Sequence, residues 1–71
     1  MKEELESALW DAIVTKNELL SEAKIHAQNA EYEDAFRCES EARGVRTAVF
    51  AILNSLGDQP PEMVDALNKC E

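Results

Sequence analysis

Apolar residues recur at helical spacing along most of this chain, in two long runs parted by a polar elbow, Asn29-Ala30-Glu31-Tyr32-Glu33-Asp34-Ala35. The first run, 3–29, contains neither Gly nor Pro and is dominated by Ala, Leu, Glu and Lys, a composition that favours helix. At about 100° per residue, Leu5, Leu9, Ala12, Ile13, Leu19, Leu20, Ala23, Ala27 and Ala30 share one face. Glu4, Asp11, Thr15, Glu18, Glu22 and His26 take the side expected to face water. The spacing predicts an amphipathic helix with a wide apolar stripe.

Two features depart from that pattern. Lys16 falls in the middle of the apolar face, where it is expected to snorkel to water or to pair with a carboxylate on the facing helix, such as Glu39. Trp10, Val14 and Ile25 lie on roughly the opposite side from the stripe. A helix that buries one face against one neighbour has no use for a second apolar patch. These three are therefore the candidate partner-binding residues, and tryptophan is a frequent interface anchor. A second chain is the expected cover for Trp10, with the C-terminal segment as the alternative.

The second run, 31–56, places Ala35, Cys38, Ala42, Val45, Val49, Ile52 and Leu56 in alternating steps of three and four. This is the a/d seam of bundle and coiled-coil packing. Its elbow end is small and its far end bulky, with Val49, Phe50, Ile52 and Leu53 together. In an antiparallel hairpin the small residues face Ala23, Ala27 and Ala30, and Leu5, Leu9 and Ile13 meet Val49, Ile52 and Leu56. Tyr32 is expected to wedge between the helices at the turn, with Ala35 opening the packed face and the neighbouring acids favouring the new helix's N-terminus. Glu33–Arg37 and Glu39–Arg43 are i,i+4 pairs, each contributing about 0.2–0.5 kcal/mol on an exposed helix. Gly44 costs about 1 kcal/mol relative to alanine in a helix interior, which close packing, a slight bend or the approach of another backbone would explain.

Gly57 suits the residue that ends the second helix, and Asp58-Gln59-Pro60-Pro61 is the only linker. Pro61 suits the first position of a short third helix, 61–70, with Met63, Val64, Ala66 and Leu67 as its one apolar stripe. That helix has the choice of folding over the hairpin mouth near Trp10 or reaching to a partner chain. The predicted fold is all-α, a single helical domain over 1–71 with helices at about 3–29, 31–56 and 61–70: an antiparallel two-helix hairpin plus a short C-terminal helix. A lone hairpin with apolar residues on two faces leaves too much exposed. The expected assembly is a homodimer in which two hairpins form a four-helix bundle.

At 71 residues the chain is near the lower limit at which one core is self-sufficient. Cys38 and Cys70 are too few for a disulfide framework and form no zinc-binding pattern. A single Cys38–Cys70 bridge is open to it, but a reduced, cytoplasmic chain is the expectation. Charges interrupt every apolar run well short of the roughly 20 residues a membrane span requires. The acidic start, Met1-Lys2-Glu3-Glu4-Leu5-Glu6, lacks the apolar core of a signal peptide.

The formal charge of −8 argues against direct binding to a phosphate backbone. The acid is concentrated in 1–34, where nine carboxylates oppose Lys2, Lys16 and Lys24, whereas 35–56 sets Glu39 and Glu41 against Arg37, Arg43 and Arg46. An acidic first helix beside a mildly basic second one suits antiparallel pairing, although exposed ion pairs contribute little. The excess acid serves solubility or, as a sharper alternative, forms a surface that competes with nucleic acid for a basic partner.

Groups that could converge for catalysis are scarce, and no enzyme, cofactor or metal is expected. His26 is the only histidine. Glu22 precedes it by one turn, but carboxylate-bundle metal sites use a Glu and a His three residues apart together with inward-facing carboxylates. Cys38 has no neighbour to activate it and reads as a small core residue. Glu39 and Arg46 lie close to the seam, expected to be partly buried and bonded to the neighbouring helix, or to fix register or oligomeric state.

The stretch His26-Ala27-Gln28-Asn29-Ala30-Glu31-Tyr32-Glu33-Asp34-Ala35 resembles the turn of the UVR motif, the helical hairpin of the B and C subunits of the bacterial excision-repair nuclease. Glu31-Tyr32-Glu33 followed by Ala35 matches its acidic-aromatic-acidic-alanine pattern. The likeness covers about 25 residues around the elbow, and it departs where the family continues with a second alanine and an aliphatic-Arg-Asp run. This chain has Phe36 and then Cys38-Glu39-Ser40 instead. The same residues are similar to a tetratricopeptide elbow, with Tyr32, Ala35 and Ala42 at its offsets, although one repeat alone builds no superhelix. Both resemblances imply a module that works by helix–helix contact with protein. The expected function is a small acidic, non-enzymatic interaction module or regulator, partnered by itself and by another protein, with no direct nucleic-acid or membrane binding. The alternative is an acidic inhibitor, of the kind a phage could encode, on the basic surface of a nucleic-acid-processing enzyme.

Overall fold

The computed structural model describes residues 2–69, all of whose regular structure is helical. Helix α1 spans Glu3–Gln28, α2 spans Tyr32–Leu56 and α3 spans Pro61–Asn68. The two long helices pack against each other as a hairpin. The short α3 returns along it, placing Met63 and Leu67 among Leu9, Ile13, Val49 and Leu53 in one buried cluster. Its C-terminal carbonyls reach Lys16 in the middle of α1. Cys70, and with it the question of a Cys38–Cys70 bridge, lies outside the described residues.

The elbow is closed by backbone rather than by an aromatic ring. Glu31 N–H donates to the His26 carbonyl at 2.8 Å and Ala30 N–H to that of Ala27 at 3.1 Å, with Ala30 in the left-handed region at φ 60°. This is the Schellman ending of a helix, built here on an alanine at a cost of about 1–2 kcal/mol. Gly57 ends α2 in the same way at φ 69°, as its position predicts, with Asp58 N–H bonded to the Leu53 carbonyl. Ala27, in the last turn of α1, and Ala30, beyond its end, are exposed rather than on the packed face. Tyr32 is 70% exposed, which corrects its expected role as a wedge. Ala23, Ala35, Cys38 and Ala42 are all buried here, and helices joined through residues this small leave no gap for a ring.

The seam of α2 also differs from its heptad reading. The buried positions are Ala35, Cys38, Ala42, Val49 and Leu53, and Val45 is half-buried. Ile52 and Leu56, expected in the core, are 41% and 47% exposed, while Leu53 is 0% exposed. A seam at 3.5 residues per turn holds only if the helices supercoil; a straighter helix drifts by about 20° per heptad. Leu53 stands about five full turns after Ala35 at 3.6 residues per turn, so it lies directly along the packed line. Docking of α3 on that side completes the shift.

Gly44 is exposed, and a Cβ built on it meets nothing within 4 Å. Close packing within the chain therefore does not account for it. Gly44→Ala is expected to raise stability by about 0.5–1 kcal/mol through helix propensity alone, measurable as a higher urea midpoint at unchanged slope. A loss of stability would show that another backbone does approach this position.

Candidate interaction surface

Lys16 is the most consequential polar residue of the fold. It is 2% exposed, and its Nζ donates to the carbonyls of Ala66 at 2.9 Å, Leu67 at 3.1 Å and Lys69 at 3.1 Å. The expected outlet to water or to Glu39 is replaced by the end of α3, for a clear reason. The last carbonyls of a helix have no partners within it, and their partial negative charge favours a cation. Beside it Arg46 donates to Asn68 Oδ1 at 2.8 Å and lies over the Phe50 ring at 5.0 Å. Glu39 and Arg46 are exposed rather than partly buried, and the helix that Arg46 bonds is α3. An open groove of about 400 Å³ is lined by Lys16 and Leu20 of α1, by Ala42, Arg43 and Arg46 of α2 and by the end of α3.

The three candidate partner residues separate. Trp10 is half-buried and packs against the cluster that Met63 and Leu67 complete. Val14 and Ile25 stay exposed, as do Phe36, Ile52 and Leu56. Ile52 and Leu56 are one turn apart on α2, following the half-buried Val45 along the same line. On the water side of α1, Glu4, Asp11, Glu18 and Glu22 are all exposed and nearly in line, covering about 27 Å at 1.5 Å per residue.

At the elbow, His26 Nδ1 lies 3.1 Å from Glu31 Oε1, so its partner is the residue beyond the turn. Glu22, one turn back, instead places Oε2 3.9 Å from the Cys38 sulfur. Arg37 pairs with Asp34 at 3.4 Å rather than with Glu33. Cys38 is buried in the small end of the core, as its place in the seam predicts. Sequence reasoning missed Asn17, whose Oδ1 is buried and has no hydrogen-bond partner among the described residues; no periodicity marks such an atom. No helix among the described residues is long and apolar enough to cross a membrane.

Compared with known proteins, the chain matches no family model, no curated protein and no solved structure.

Proposed function

We propose that this chain is a non-enzymatic protein–protein interaction module that pairs with a second copy through the Val45–Ile52–Leu56 line of α2. The carrying observation is that Ile52 and Leu56 are 41% and 47% exposed although they continue the apolar seam of a hairpin whose remaining large seam residue, Val49, is buried. Two such lines laid together would complete a four-helix bundle. The elbow's similarity to UVR-type hairpins fits a module of this kind. Sedimentation equilibrium at micromolar concentration is expected to show a dimer for the wild type and for Val14→Glu, and a monomer for Ile52→Glu. Since each position is exposed, neither change should unfold the chain. A dimer that survives Ile52→Glu and is lost in Val14→Glu would move the interface to the outer face of α1, and a monomer throughout would end the homodimer reading.

The line of carboxylates from Glu4 to Glu22 favours a second reading, an acidic inhibitor seated on the basic surface of a nucleic-acid-processing enzyme. Binding of that kind weakens steeply between low and high salt, whereas apolar helix pairing does not.

A further inference from the structure

The elbow gathers three metal-ligating side chains. His26 near the end of α1, Glu31 in the turn and Asp34 in the first turn of α2 each offer one ligand atom, and these atoms lie within 4.8 Å of one another. His26 Nδ1 and Glu31 Oε1 are 3.1 Å apart, close to the separation of two neighbouring ligands around a cation with bonds of about 2.0–2.2 Å. Asp34 is ion-paired with Arg37 through Oδ1 at 3.4 Å, and a carboxylate has a second oxygen to offer. The backbone holds the first two ligands in register, because Glu31 N–H is bonded to the His26 carbonyl itself. An imidazole with two carboxylates suits a first-row divalent transition metal better than magnesium or calcium, which prefer oxygen ligands alone.

We propose that His26, Glu31 and Asp34 form a binding site for one divalent transition-metal ion of the zinc class, which would clamp α1 to α2 across the elbow. Three protein ligands leave a fourth tetrahedral position for water or for a group of a partner.

The test is isothermal titration of the full chain with zinc chloride in a non-chelating buffer, together with long-range ¹H–¹⁵N spectra of the imidazole. His26 is the only histidine, so its ring signals are unambiguous. One zinc ion per chain is expected to bind and to shift the ring nitrogens. His26→Ala and Glu31→Gln should each weaken binding by at least about tenfold, the lower end of what even outer-shell changes cost, and Glu22→Gln should not. A ring unmoved at saturating zinc would overturn the proposal whether or not the variants fold. Affinity unchanged by His26→Ala would do so too, by placing the metal on the thiols or on scattered carboxylates.

Discussion

Leu53→Ala is expected to remove about 3–5 kcal/mol, the range for truncating a fully buried leucine. A chain of this length has about 4–10 kcal/mol of stability in all, so the variant should be largely unfolded or close to it at room temperature. Leu53 is 0% exposed and sits where α1, α2 and α3 meet, among Leu9, Ile13, Val49, Met63 and Leu67. The side chains to compare are its near neighbours Ile52 and Leu56, which the heptad pattern assigns to the core. Truncating either to alanine should cost less than about 1 kcal/mol, nearer to surface behaviour. Urea unfolding followed by circular dichroism, at a concentration where the chain is monomeric, separates the two. A larger loss from Ile52→Ala than from Leu53→Ala would mean that the coiled-coil seam holds the fold.

Lys16→Met should cost about 2–3 kcal/mol and act mainly on α3. Methionine keeps the apolar stem but removes the donors to three carbonyls. Hydrogen bonds from a charged donor contribute about 1.5–3 kcal/mol each, and the desolvation cost of burying an ammonium offsets a large part of that sum. The offset is incomplete, because the change removes one side of the interaction and leaves the buried carbonyls without it. Amide hydrogen exchange in 61–68 should accelerate while the middle of α1 and α2 stays protected. Trp10 fluorescence should shift to the red as the cluster it packs against opens. A variant as stable as the wild type would show that the cost of burying the charge cancels all its bonds.

The elements of this fold could be read from the chain, and its assembly could not. The two long helices, the elbow at 29–31, Gly57 as a stop and Pro61 as a start all depend on contacts within about four residues, which composition and spacing encode directly. The burial of Ala35, Cys38 and Ala42 was legible for the same reason, since small residues repeated on one face have few other uses. Two residues changed meaning only when α3 was in place. Lys16 became the donor to a helix end 50 residues away, and Trp10 came to pack, half-buried, against the cluster that Met63 and Leu67 complete. Each depends on where an eight-residue helix lies on the hairpin, and no local periodicity carries that information. The candidate site behaves alike. His26 was visible as the sole imidazole, but the helical pattern pairs it with Glu22, one turn back. Its actual neighbours, Glu31 and Asp34, come from across the turn, brought there by a left-handed Ala30. Asn29, Ala30 and Glu31 together reverse the chain direction, and a helical sequence pattern has no term for that.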